Sequence, residues 1–83
     1  IGDVGNGAEV LADGSIHVYG KLLGKAFAGI KNNDSAMIFC DSFDPELVSI
    51  NGIYILSDRI TDSQRMKRVA VSLNSNRIEV QSL

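Results

Sequence analysis

Short runs of alternating hydrophobic and polar residues, separated by glycines, fill the first half of the chain. The segment Gly5 to Gly29 reads GNGAEVLADGSIHVYGKLLGKAFAG and leaves almost no room for a helix. Within SIHVY, Ile16 and Val18 lie on one face and the polar or aromatic residues on the other. This two-residue period is typical of a half-buried strand. The pattern therefore predicts an all-β fold.

The inward-facing positions recur at intervals of 18 and then 22 residues. The first set is Ala8 and Val10, the second is Ala26 and Ala28, and the third is Val48 and Ile50. The polar stretch Ile30 to Ser35 accounts for the longer second interval and is expected to form a loop. Strands that repeat at this spacing indicate a solenoid of stacked courses. We therefore predict a short parallel β-helix, a triangular three-sheet solenoid.

Two dipeptides leave an alternative open. Asp13-Gly14 and Asn51-Gly52 are typical residues of two-residue β-hairpin turns, so an antiparallel sandwich would also use them. The repeat favours corners of a solenoid at both places, because a meander would leave the interval unexplained.

The pattern changes after Leu56. Ser57 to Arg68 is polar and charged, and Thr61-Asp62-Ser63 is suited to cap a helical turn over Gln64 to Lys67. Two further alternating runs, Val69 to Leu73 and Arg77 to Leu83, flank Asn74-Ser75-Asn76. We expect this pair to form a hairpin or a final coil, a C-terminal capping segment over the open end of the solenoid.

Composition narrows the class of protein. Eighty-three residues form one small domain, with 45% hydrophobic and only 6% aromatic residues. A net charge of −2 does not favour nucleic acid or a membrane surface as the principal partner. Cys40 is the only cysteine, so an internal disulfide is excluded and a reducing cytoplasmic setting is expected. The chain begins at Ile1 without methionine, which indicates a piece of a longer protein.

Candidate chemistry is sparse. A histidine base at a subunit boundary, as in β-helix acyltransferases, is the enzymatic alternative for His17, but no second acid or nucleophile is spaced to orient it. A sugar-cleaving β-helix would need clustered carboxylates and aromatic platforms. His17 and Cys40 do not complete a zinc site, and no phosphate-binding loop motif is present. We predict no cofactor, no metal and no catalysis. The basic run Arg65 to Arg68 is expected to be a solvated face.

These residues carry a resemblance. The string GDVGNGAEVLADGSIHVYGKLLGKAFAG, followed by IFC, ELVSI and SDR, resembles the C-terminal domains of the MinC family of bacterial septum-site inhibitors. The resemblance covers nearly the whole chain, is densest over Ala8 to Gly29 and Ile38 to Arg59, and weakens after Gln64. It implies a right-handed β-helix that spans residues 1–83 and dimerises through one flat face, with an N-terminal domain upstream.

The resemblance also implies a binding module. Such domains form homodimers, bind the ATPase MinD and contact the C-terminal tail of the tubulin-like FtsZ, which helps to block septum formation at improper sites. It implies a cytoplasmic protein recruited to the inner face of the cell membrane through MinD. The family's Arg-Ser-Gly-Gln motif for MinD contact lies upstream of Ile1.

Six residues are candidates for these contacts. By resemblance, Lys25, Glu46 and Leu47 match the surface that binds the acidic, partly apolar FtsZ tail, and an arginine is usual where Lys25 stands. The alternative is a solvated cross-strand pair of Lys25 with Glu46, contributing ~0–1 kcal/mol. Glu9, Asp13 and Ser15 are candidates for MinD contact because they follow the upstream motif, although turn and surface roles also explain them.

Overall fold

The computed structural model describes the whole chain, Ile1–Leu83, and contains eight strands and one short 3₁₀ turn. The strands are β1 (Glu9–Leu11), β2 (Ile16–Leu22), β3 (Lys25–Ala28), β4 (Ile38–Phe43), β5 (Leu47–Ile50), β6 (Ile53–Leu56), β7 (Val69–Asn74) and β8 (Arg77–Ser82). The 3₁₀ turn covers Ser57–Arg59. The prediction of an all-β fold is confirmed. Because this turn has only three residues, no helix here is long enough to cross a membrane.

The strands form two four-stranded sheets. The first sheet has the order β1-β3-β5-β6 and the second has the order β2-β4-β7-β8. The pairs β1-β3, β3-β5 and β2-β4 are parallel. Since β1 to β5 alternate between the two sheets, the chain passes back and forth between them as it advances. Val4 adds one isolated parallel bridge to Leu22, at the end of β2; the triangular section and its handedness stay predictions.

The observed register corrects the first predicted interval. Val10 pairs with Ala26, and Ala26 pairs with Val48, so the first step is 16 residues and Ala8 has no place in this row. The second interval of 22 is confirmed, as is the pairing of Ile16 with Ile38. Because side chains alternate with a period of two, a shift of two residues keeps every residue on the same face. The hydrophobic pattern is therefore the same in either register.

One of the two ambiguous turns is a hairpin. Asn51 and Gly52 have φ values of 51° and 79°, and β5 pairs with β6 in antiparallel register, Ile50 opposite Ile53. Positive φ at both central residues matches the twist of a two-residue hairpin. The prediction of a solenoid corner was wrong here. Asp13-Gly14, in contrast, joins strands of different sheets and is a corner, as predicted.

The C-terminal pair is a hairpin that extends the second sheet. Its turn contains Ser75 and Asn76 with φ of 54° and 60°, and β7 pairs in antiparallel fashion with both β4 and β8. The segment before it contains the predicted helical turn, limited to a single turn. The amides of Gln64 and Arg65 do donate to the Thr61 carbonyl oxygen at 3.0 and 3.1 Å, but Met66 has φ 60°. That left-handed residue ends the turn before a helix forms.

The core fills the space between the sheets with aliphatic side chains. Its fifteen buried members are Val4, Ile16, Val18, Leu22, Ala26, Ala28, Ala36, Ile38, Cys40, Phe43, Val48, Ile50, Ile60, Val69 and Val71. No buried side-chain nitrogen or oxygen lacks a hydrogen-bond partner. Because the inward faces are fully occupied, recognition is left to the outer faces.

Candidate functional site

The outer face of the first sheet carries a continuous row of outward-facing side chains across all four strands. Glu9 lies beside Lys25, Lys25 beside Leu47, and Leu47 opposite Leu56. The parallel pairing of β3 with β5 therefore brings together two of the predicted tail-binding residues, Lys25 and Leu47. It also places Glu9, a predicted MinD-contact residue, on the same face.

A second row on this outer face is largely apolar. It consists of Leu11, Phe27, Ser49 and Tyr54 in adjacent register positions. Ser49 lies between the two aromatic residues and is only 5% exposed, whereas Leu11 and Tyr54 are each 58% exposed. The two rows together present apolar side chains around one lysine, the combination that an acidic and partly apolar peptide requires.

The charge on this face is partly balanced. The Nζ atom of Lys25 lies 4.0 Å from Oε2 of Glu9, and both side chains are well exposed to solvent. An ion pair of this kind contributes ~0–1 kcal/mol and is screened by salt. Lys25 is therefore held near Glu9 only weakly and is free to turn towards another carboxylate.

Glu46 has a different environment from the one predicted. Its Oε2 atom accepts a hydrogen bond of 2.7 Å from the backbone N–H of Gly7, 39 residues earlier, and its own backbone N–H donates to the carbonyl oxygen of Gly24. No ion pair joins it to Lys25, whose partner is Glu9. The carboxylate of Glu46 thus binds the turn that leads into β1 and helps to position the outer face of the first sheet.

The other two predicted MinD-contact residues lie at the corner after β1. Asp13 pairs with Lys31 at 3.6 Å, and the hydroxyl oxygen of Ser15 accepts a 2.9 Å hydrogen bond from the backbone N–H of Met37. Both residues are exposed, yet each makes a contact between successive courses of the chain. Glu9 is the one member of this group that belongs to the outer face of the first sheet.

Three surface residues were missed by the sequence reasoning. Tyr54 and Leu56 extend the two rows onto β6, and Arg59 ends the 3₁₀ turn that follows. The signal was present, because a two-residue hairpin at Asn51-Gly52 places Tyr54 opposite Ser49 and Leu56 opposite Leu47. Because the repeat favoured a solenoid corner at this turn, the sequence did not predict that Tyr54 and Leu56 lie on this face.

The outer face of the second sheet is aromatic over β2 and β4. The rings of His17 and Phe39, which are register partners, stack with centroids 4.8 Å apart and planes inclined by 14°. Tyr19 lies 6.4 Å from His17 on the same strand and is 73% exposed. The nearest ring partners of His17 are therefore aromatic, and no hydrogen bond joins its ring to a carboxylate that would orient it as a base.

The other candidate reactive or charged side chains, Cys40 and Arg65, are occupied by packing and by an ion pair. Cys40 is buried, and desolvation, assisted by the nearby charge of Asp41, raises the pKa of its thiol to about 11 against two backbone hydrogen bonds that lower it. Arg65 binds Oδ1 of Asp44 at 2.6 Å and the Ser57 carbonyl oxygen at 2.9 Å. The residues include no cluster of three or more histidine, cysteine or acidic side chains suited to a metal.

Comparison with known proteins shows the family to which this chain is similar. The family model described as septum formation inhibitor MinC, C-terminal domain, matches residues 1–83. The chain is 49% identical over 82 residues to a probable septum site-determining protein MinC of Shewanella sp. strain ANA-3, covering 99% of this chain and 37% of that protein. It is 48% identical over 80 residues to the protein of that name from Xylella fastidiosa strain M12, covering 96% of this chain and 34% of that protein.

A solved structure has the same fold. The chain is similar to one from the MinC:MinD cell division protein complex of Aquifex aeolicus, with a TM-score of 0.87, 31% identity, and coverage of 100% of this chain and 67% of that one. This chain thus spans little more than a third of the length of the curated relatives that it matches.

Proposed function

We propose that this chain, which belongs to the family of C-terminal domains of the septum formation inhibitor MinC, is a binding module that contributes to division inhibition by joining MinD to FtsZ. The observation that carries the proposal is the row of Glu9, Lys25 and Leu47 across the outer face of the first sheet. This row places candidate contacts for both partners on one surface. The related complex from Aquifex aeolicus supports MinD as a partner.

The contact with the FtsZ C-terminal tail rests on complementary chemistry. Lys25 offers a cation whose existing pair with Glu9 is weak and exposed. Leu47, the next residue in the row, is a half-buried apolar anchor. Glu46 acts on this site as a positioning residue, because its carboxylate holds the backbone of Gly7.

Reversing the charge at Lys25 tests the contact. We expect Lys25→Glu to weaken binding of a labelled FtsZ tail peptide about tenfold, since it removes the cation and places a second carboxylate beside Glu9; this equals about 1.4 kcal/mol. The measurement is fluorescence anisotropy with the full-length protein. Far-ultraviolet circular dichroism should be unchanged because the side chain lies on the surface.

The matched control is Lys67→Glu, which makes the same charge change at an exposed residue of the segment that joins β6 to β7, outside both sheets. The affinity of Lys67→Glu for the tail peptide should stay within twofold of that of the unsubstituted protein. Equal loss in both variants would point to net charge alone, and an unchanged affinity for Lys25→Glu would remove Lys25 from the site.

The MinD contact is assigned to Glu9 more firmly than to Asp13 or Ser15. Glu9 lies on the open outer face, whereas Asp13 and Ser15 already contact Lys31 and Met37. Recruitment of the protein to the inner face of the cell membrane would then follow from MinD. The location in the cytoplasm is part of the same proposal.

The homodimer is assigned to the outer face of the second sheet. His17, Phe39 and Tyr19 form an exposed aromatic surface there, and aromatic residues are enriched in protein interfaces. A standard interface buries about 800 Å² on each partner, which is one sixth of the 4812 Å² surface of this chain. A two-fold axis would place this patch against its own copy.

Sedimentation of Tyr19→Asp tests the dimer. In a two-fold interface each copy contributes one new carboxylate. We therefore expect the unsubstituted protein to be a dimer at micromolar concentration and Tyr19→Asp to be a monomer. Met66→Asp is the control, because Met66 is an exposed apolar residue outside both sheets. A monomeric unsubstituted protein would overturn the dimer, and a dimeric Tyr19→Asp would move the interface to another face.

The right-handed parallel β-helix completes the proposal. Its support is the parallel pairing of β1, β3 and β5 in one sheet and of β2 with β4 in the other. The two C-terminal hairpins, β5-β6 and β7-β8, are then caps that close the end of the coil with antiparallel strands.

A further inference from the structure

The end of β6 and the 3₁₀ turn after it form an open cavity beside the apolar rows. Its lining residues are Tyr54, Ile55, Leu56, Asp58 and Arg59, and its volume is about 290 Å³. Tyr54 and Leu56 are 58% and 48% exposed, although both are large and apolar. The cavity therefore combines unburied apolar surface with one cation and one carboxylate.

Arg59 is a cation without a counter-ion. Four of the eight lysine and arginine side chains form ion pairs, namely Lys25, Lys31, Arg65 and Arg68. Of the others, Arg59 alone lines this cavity. A guanidinium group binds a carboxylate through two parallel hydrogen bonds, which a lysine does not do. Arg59 is thus the stronger available carboxylate receptor near this face.

We propose that Tyr54, Leu56 and Arg59 form the second half of the surface that binds the acidic tail peptide. Arg59 takes a carboxylate of the peptide in bidentate geometry, and Tyr54 and Leu56 receive an apolar side chain. This inference rests on the proposed function, because it extends the site at Lys25 and Leu47. It adds Tyr54 and Leu56 of β6 and Arg59 of the 3₁₀ turn to that site. Tyr54 and Leu56 then determine the specificity of the site for apolar residues in the peptide.

Register makes the two halves continuous. Leu56 pairs with Leu47, which lies beside Lys25. At a strand spacing of about 4.8 Å, the Cα atoms of Lys25 and Leu56 are roughly 10 Å apart. An extended peptide that crosses the strands covers this distance with about three residues.

Charge complementarity identifies the occupant. Lys25 already lies 4.0 Å from Glu9, whereas Arg59 forms no ion pair and binds a carboxylate without giving one up. Asp58 lines the same cavity. Its carboxylate repels a carboxylate of the peptide, so the acidic residue of the peptide lies against Arg59 and away from Asp58. An acidic peptide with apolar residues matches this surface, whereas a basic or wholly polar peptide does not.

The experiment compares variants of the full-length protein by anisotropy with a labelled FtsZ tail peptide. We expect Arg59→Glu to raise Kd at least tenfold and Leu56→Ser several-fold. Arg77→Glu, which changes an exposed arginine at the start of β8 in the other sheet, should leave Kd within twofold. A second peptide with its apolar residues replaced by serine should bind weakly to the unsubstituted protein and lose little further affinity in Leu56→Ser.

The outcomes separate this inference from the proposed function. If Lys25→Glu weakens binding while Arg59→Glu and Leu56→Ser do not, the extension onto β6 is overturned and the site at Lys25 stands. If Arg59→Glu weakens binding and Lys25→Glu does not, the β6 surface is supported and the assignment of Lys25 falls. Equal loss in Arg59→Glu and Arg77→Glu overturns the inference, and no binding by the unsubstituted protein overturns both.

Discussion

Replacing Gly24 with alanine is expected to destabilise the folded chain by about 3 kcal/mol, at the upper end of ordinary single substitutions. A Cβ atom at this position would lie 2.3 Å from the carbonyl oxygen of Ala8 and 2.5 Å from that of Gly5. Both neighbours are backbone atoms, so no side chain can rotate away. Urea unfolding should show a lower midpoint with an unchanged slope.

Gly14→Ala is the matched control. No heavy atom lies within 4 Å of a Cβ atom at Gly14, and its φ is outside the left-handed region. The two substitutions restrict the unfolded chain in the same way, so the difference between them isolates the steric clash. Gly14→Ala should stay within about 0.5 kcal/mol of the parent. Similar midpoints for the two variants would mean that the backbone at Gly24 does not approach the carbonyl oxygens of Gly5 and Ala8 as closely as described.

Phe43→Ala is expected to reduce the free energy of unfolding by about 3–5 kcal/mol, the usual cost of emptying a large buried aromatic site. Phe43 is fully buried, with 0% exposure. Its backbone also binds the segment that joins the two sheets. The carbonyl oxygen of Phe43 accepts a hydrogen bond from the N–H of Met66, and its N–H donates to the carbonyl oxygen of Lys67. Hydrogen exchange at Met66 should therefore accelerate along with the fall in the urea midpoint.

Tyr54→Ala is the comparison for Phe43→Ala, since it removes an aromatic ring of similar size from a solvent-exposed position. Its expected effect on the free energy of unfolding is below about 1 kcal/mol, the scale of a cross-strand pair. If the two variants were equally unstable, the stability of the chain would not depend on the packing between the sheets.

Much of the fold follows from local pattern. Alternation located the main strands, and the interval of 22 residues gave the register of β3 with β5 and of the first part of β2 with β4. Asn74-Ser75-Asn76 marked the last hairpin, where Ser75 and Asn76 adopt positive φ. These features are readable because each depends on residues within one strand or one turn.

The errors have physical causes. The first interval was two residues too long because period-two alternation does not distinguish registers that differ by two. The helical turn does not extend over Lys67 because Met66 adopts φ 60°, an unusual conformation for a residue without a short polar side chain. Asn51-Gly52 was assigned to a corner because the same dipeptide chemistry serves a hairpin and other positive-φ turns.

The sequence by itself determined the strand content, the side chains that face inward, and a family whose candidate contacts include Lys25 and Leu47. Only the tertiary structure decided that Glu9 lies beside Lys25, that Glu46 is bound to Gly7, and that β6 adds Tyr54 and Leu56 to the same face. The reason is that alternation gives the face of each residue within its own strand. Which strands are neighbours, and in which register, depends on contacts between residues far apart in the chain.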